Sequence, residues 1–328
     1  MTGVHATTPP TGVLLMAYGC PSWPDDLEAY YTHIRGGRKP SPELLLELAG
    51  RYRAIGGRSP LLTITKRQAT ALEAHLCGQA PDGYRVYVGM KHARPFIAQA
   101  IAQMAAEGIT QAVGITLAPH YSKMSIGAYI EAAEAARTGP ATALTVRYVE
   151  RWGDHPLFVE AVAERLAMAL AQVSGAERSA VPVIFTAHSL PERILTWGDP
   201  YPEELHRTSK LVAAIRGVRH WKFAYQSCGR TPEPWLGPDV LTVLRRLQRE
   251  GERTVVLCSI GFIADHLEVL YDLDIQARGL ADQLGMRLIR AETLNDHPLL
   301  IKALADLVKR SSDLEGLPTG QQEVGAAS

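Results

Sequence analysis

The sequence predicts an α/β protein of two Rossmann-like lobes, each a four-stranded parallel sheet flanked by helices, with a cleft between them. Three observations carry this. Short apolar runs alternate with helical patterns along the chain. The layout is written twice: Asp154-His155-Pro156-Leu157 recurs as Asp296-His297-Pro298-Leu299, and Glu107-Gly108 recurs as Glu250-Gly251. The length, 328 residues, is natural for two α/β units.

Taken in order, the strands of the first lobe are expected at Val13–Tyr18, Arg85–Met90, Ala112–Leu117 and Leu144–Val149. Those of the second are expected at Val183–Ala187, Lys222–Gln226, Thr254–Ser259 and Met286–Arg290. The runs are short and mostly apolar, as buried parallel strands should be. Each Asp-His-Pro-Leu element opens a helical pattern, with Asp as the expected N-cap and Pro in the first turn, where its missing N–H costs nothing. Residues 11–152 then form the first lobe, completed by a C-terminal helix at 294–311, and residues 153–293 form the second. The segment 312–328, rich in Gly, Ser and Gln, reads as a flexible tail.

Composition narrows the function classes. Lys+Arg and Asp+Glu both number 34, which argues against a binder that relies on neutralising nucleic-acid phosphates. No apolar run approaches the ~20 residues that span a bilayer, and the start of the chain lacks the basic-then-apolar order of a signal peptide. A cytoplasmic protein is expected, with reversible contact with a membrane surface left open. Cys20, Cys77, Cys228 and Cys258 have no C-x-x-C spacing; they read as free thiols in a reducing compartment. Neither a Walker-type nor a G-x-G-x-x-G glycine loop follows a strand, which disfavours a nucleotide.

In paired open sheets ligands bind beyond the carboxyl ends of the strands. There the chain places Tyr18-Gly19-Cys20-Pro21, Lys91-His92, Pro119-His120-Tyr121-Ser122, His188-Ser189-Leu190-Pro191, Gln226-Ser227, and Gly261-Phe262 leading into Asp265–Asp272. His188 can be a metal ligand, a general base or a hydrogen-bonded core histidine. Asp265, Glu268 and Asp272 stand at i, i+3 and i+7, so a helix would gather them on one face; a solvated face is the other reading. Imidazole nitrogen with carboxylate oxygen suits a divalent first-row metal, and two ligands with open positions suit a metal that is passed on. The same pair can take up protons. The stretches 30–39 and 51–60 mix Arg with Tyr, which fits a flat ligand bearing carboxylates or simply a solvated surface. Tyr18, at the first-lobe counterpart of His188, can face it across the cleft or serve as a turn residue.

Together, "LLMAYG" (14–19), "YYTHIRGGRKP" (30–40), "RYRAIGGRSPL" (51–61), "TAHSLPE" (186–192), "GDPYPEEL" (198–205), "QSCGRTPEPWLGPD" (226–239) and "GFIADHLEVLYDLDI" (261–275) resemble the ferrochelatases, most of all the bacterial coproporphyrin-using branch. The resemblance runs from about Gly12 to about Leu307. It implies a class II chelatase fold with a porphyrin in the cleft, His188 and Glu268 as the inner metal site, and an acidic ladder continuing to Asp272. Gln276 stands where the family often has a further acid. The resemblance makes Tyr18 a porphyrin-facing residue and a candidate axial ligand to the product iron. It makes Arg35, Arg51, Tyr52, Ser59, Lys91, His92, Ser125 and Ser227 porphyrin-binding candidates.

The expected activity is insertion of Fe²⁺ into coproporphyrin III with release of two protons, giving coproheme in haem biosynthesis. Fe²⁺ is then a substrate. No permanently bound cofactor is expected, and no [2Fe–2S] cluster, because no cysteine follows Cys258. A monomer is expected. The alternatives are a protoporphyrin IX ferrochelatase, a cobalt chelatase of the same superfamily, and a non-catalytic haem or metal carrier.

Overall fold

The computed structural model describes residues 9–312, with Trp23, Ala176 and Arg230 excepted. Two four-stranded parallel sheets form. The first holds β1 (Thr11–Ala17), β2 (Tyr84–Met90), β3 (Gln111–Thr116) and β4 (Thr145–Val149) in the order β2-β1-β3-β4. The second holds β5 (Val183–His188), β6 (Trp221–Gln226), β7 (Thr254–Ser259) and β8 (Arg287–Arg290) in the order β6-β5-β7-β8. The duplicated sequence is thus a duplicated topology, and every expected strand is present with its ends displaced by no more than two residues.

The strands were legible because both faces of each sheet are covered by helices. The central strands β1 and β5 are buried almost throughout, Val13 to Met16 and Val183 to Phe185 completely. Fully burying one such side chain contributes ~1.5–3 kcal/mol. One apolar cluster joins Val13 and Leu15 of the first sheet to Phe185 and Val256 of the second, so the lobes share a core. Separate clusters cover their outer faces.

The two helices opened by the repeated motif lie in this shared core. The helix Pro156–Leu170 packs on β7, and the helix Pro298–Ser312 packs on β3 and β4 and against the first helix. His155 Nε2 lies 2.9 Å from Asp306, and His297 Nε2 lies 3.3 Å from Glu164. Each helix start therefore reaches the same position on its duplicate, a two-fold exchange built from a repeated sequence.

The expected aspartate caps do not form. Proline takes the first helical position, which makes the preceding histidine the N-cap and leaves Asp one residue too early to reach the helix amides. His297 Nδ1 accepts from the Leu299 N–H at 3.3 Å, while Asp154 pairs with Arg207 and Asp296 takes a two-pronged grip from Arg67. The last helix runs to Ser312, one residue beyond its expected end; the rest of the expected tail, 313–328, lies outside the described residues.

Candidate active site

The carboxyl ends of both sheets converge on a cavity of about 250 Å³. Tyr18, Lys91, His120 and Ser125 line it from the first lobe, and His188, Phe262 and Glu268 from the second. Two tight passages allow this. Gly19, at φ +98°, turns the chain beneath Ala93 directly after Tyr18. The turn after β7 crosses β5 so closely that a Cβ on Gly261 would lie 2.5 Å from that of Ala187. Glu268 follows that crossing and His188 follows Ala187, so this contact brings the two segments together.

His188 ends β5. Its Nδ1 contacts the Ser189 carbonyl, which can only accept, so Nδ1 carries the proton and Nε2 faces the cavity wall. Nε2 lies 3.6 Å from Glu268 Oε1. The other carboxylate oxygen lies 3.5 Å from Nε2 of His266, whose Nδ1 donates to the Ala264 carbonyl at 3.0 Å. Glu268 is thus held between two imidazoles whose ring orientation is set by the backbone.

Burial favours a neutral His188, but the Glu268 carboxylate, the Ser189 carbonyl and Asp272 outweigh it and raise the imidazole above its ordinary value. Burial would likewise raise Glu268; the nearby His188 imidazole, then that of His266, instead holds it well below the usual carboxylate range. Both shifts favour the charged forms, an imidazolium beside a carboxylate. Burial pushes Asp272 up to about 6, opposed by its hydrogen bond from Ser227 and reinforced by the charge of Glu268. The Tyr18 phenol is raised by burial and by Glu268, so it stays protonated.

The acids do not form one helical row. His266 is extended and caps a short helix, Leu267–Tyr271, so Asp265 precedes it. There Asp265 accepts from Asn295 at 3.1 Å and pairs with Arg290 at 3.4 Å. After Tyr271 the chain widens into a π-turn, Asp272–Ala277, which starts at the third acid, Asp272. A second π-turn, Lys123–Gly127, occupies the corresponding place after β3 and carries Ser125 to the cavity. Such turns recur at functional sites. No feature of the residue pattern marked them.

The remaining candidates divide. Lys91 lines the cavity with its ammonium 5.0 Å above the Tyr129 ring. His92 packs at a tilt against Tyr18, ring centroids 4.6 Å apart, with its Nδ1 3.0 Å from that of His33; burial and the Lys91 charge push it down to about 3, so it is neutral. Arg35 lies over Tyr31 and donates to the Arg38 carbonyl. Arg51 pairs with Glu47 at 3.0 Å, lies 4.0 Å from Asp272 and covers the Tyr271 ring. Tyr52 is buried with Leu27 and Ala49, and the Ser59 hydroxyl accepts from the Leu61 N–H. His92, Arg35, Arg51, Tyr52, Ser59, Ser227 and the acid Asp272 are not among the residues lining the cavity. The residue that sequence reasoning passed over is His266. Two positions from Glu268, it would point elsewhere on a regular helix; its extended backbone turns it back.

A family model described as Ferrochelatase matches residues 10–312. The chain is 46% identical over 298 residues to the Ferrochelatase of Herpetosiphon aurantiacus, covering 91% of this chain and 98% of that one. It is 47% identical over 311 residues to the Coproporphyrin III ferrochelatase of Geobacillus kaustophilus, covering 93% and 97%. The cobalt complex of the sirohydrochlorin chelatase SirB from Bacillus subtilis subspecies spizizenii matches with a TM-score of 0.54 at 13% identity, over 94% of this chain and 97% of that one. At that identity the likeness is one of fold. A match across nearly every described residue, with relatives close to half identical, means that this chain belongs to the ferrochelatase family.

Proposed function

We propose that this protein inserts Fe²⁺ into coproporphyrin III, releasing two protons and giving coproheme. The observation that carries the reading is the wall of the interlobe cavity, where His188 Nε2 stands 3.6 Å from the Glu268 carboxylate. Relatives named as coproporphyrin III ferrochelatases, at 45–47% identity, favour this porphyrin.

The porphyrin sits between the lobes, its carboxylates met by Lys91 and Ser125, with the Tyr18 phenol facing one side of the ring. In the resting protein a proton occupies the space between His188 and Glu268. Fe²⁺ displaces it, drawn by the carboxylate and by the Nε2 lone pair that becomes free. As the metal enters the ring two pyrrole N–H bonds break, and the vacated imidazole and carboxylate accept protons and pass them to water. His266 keeps Glu268 ionised until the metal arrives. Arg51 and Asp272 border the approach to Glu268. Two ligands and an open remainder suit a metal that is delivered. The enzyme acts as a cytoplasmic monomer and needs no resident iron–sulfur cluster; no described helix is long and apolar enough to cross a membrane.

The test is anaerobic Fe²⁺ insertion into coproporphyrin III, protoporphyrin IX and sirohydrochlorin, assayed separately. Catalytic metallation of coproporphyrin III with the highest kcat/KM is expected. Preference for another tetrapyrrole reassigns the substrate, and stoichiometric binding without turnover makes the protein a carrier.

A further inference from the structure

We propose that Gln226 is the positioning residue that sets the separation of His188 and Glu268; this rests on the reading of that pair as the metal site. Gln226 ends β6, directly opposite His188 in the register of the sheet, and is 1% exposed. Its main-chain carbonyl accepts from the N–H of Ser189, the residue after His188, at 2.8 Å. Its side-chain Nε2 donates to the main-chain carbonyl of Glu268 at 3.2 Å. One residue therefore holds the backbone at both members of the pair.

The point of attachment is specific. The Glu268 carbonyl also accepts from the Asp272 N–H, at the place where the short helix gives way to the π-turn. Gln226 fills its second lone pair there, pinning the helix where its geometry changes. The next residue, Ser227, donates its hydroxyl to the Asp272 carboxylate. The sheet order β6-β5-β7 means that Gln226 spans the central strand to reach a helix that follows the strand beyond it.

The other end of the same amide shows what it is for. Gln226 Oε1 is buried and has no hydrogen-bond partner among the described residues. An unpaired buried carbonyl is unfavourable, and an apolar side chain of similar length would fill the space without that cost. What only the amide supplies is the bond to Glu268. Groups that orient metal ligands typically alter metal affinity or activity by about tenfold to a hundredfold when removed.

The test uses Gln226→Met, which keeps length and removes the donor, and Gln226→Asn, which keeps the amide but falls short of Glu268. Co²⁺ is titrated into the porphyrin-free protein and followed by its visible spectrum, beside kcat and KM for Fe²⁺ insertion and a thermal melt. Both variants are expected to bind Co²⁺ about tenfold more weakly, with an altered band, and to lose about tenfold in kcat while the coproporphyrin KM stays within about twofold. If either variant melts as a folded protein and keeps wild-type Co²⁺ affinity and kcat, the positioning role is overturned. His188→Ala separates the two ideas. If it binds Co²⁺ like the wild type, the metal-site reading falls and the inference with it. If it loses Co²⁺ while the folded Gln226 variants retain it, only the role of Gln226 falls.

Discussion

Nε2 of His188 and Oε1 of Glu268 stand 3.6 Å apart, close enough for strong charge–charge attraction and too far for a normal hydrogen bond. The imidazole is raised and the carboxyl depressed by their mutual field. In the proposed mechanism that gap is where a proton gives way to the incoming cation.

Removing either partner should stop the reaction without emptying the cleft. His188→Ala and Glu268→Gln are each expected to lower kcat for iron insertion by about a hundredfold or more. Coproporphyrin binding, followed by fluorescence quenching, should change little. Near-normal turnover in His188→Ala would remove the central assignment.

His266→Ala should do less, and differently. It takes away one of the two imidazoles that keep Glu268 ionised, so the carboxyl rises toward its ordinary range. The KM for Fe²⁺ should rise about tenfold with the coproporphyrin KM unchanged. An effect confined to coproporphyrin would show that His266 meets the macrocycle instead.

Lys91 and Arg51 should separate porphyrin binding from iron handling. Lys91 lines the cavity, whereas Arg51 is turned to Glu47 and Asp272. Lys91→Ala is expected to raise the coproporphyrin KM about tenfold, the loss of one charge-assisted contact. Arg51→Ala should alter the Fe²⁺ KM and leave the coproporphyrin KM within about twofold. The reverse pattern would place the Arg51 guanidinium on a propionate.

Asp272 links stability to pH. Its carboxyl is raised from 3.8 to about 6, so its favourable contribution is complete below pH 3.8 and is lost as pH rises through 6. Above pH 6 the native protein carries a buried charge that it resists. Asp272→Asn should therefore raise the melting temperature at pH 7.5, by at most about 3 kcal/mol in stability, and give no gain near pH 4. Equal gains at both pH values would show that the charge is not the cause.

The fold was legible because buried parallel strands are continuous apolar runs and because the layout occurs twice. Even the exchange of His155 and His297 between helices was latent in the repeated motif, although the motif pointed to Asp for the caps. His188 stood out as the residue that closes an apolar strand, Glu268 as one of a run of acids at the cleft mouth.

What the sequence by itself determined is which segments are buried, that they come as two matching sets, and which polar side chains stand at the strand ends. Those are local properties, set by hydrophobic period and turn chemistry. Where each polar group points was decided only in three dimensions. Asp265 was taken out of the acidic row by Arg290 and Asn295, Arg51 was turned to Asp272, and His266 was folded back onto Glu268. A charged side chain is oriented by the partners that compensate its desolvation, and those partners lie on other elements.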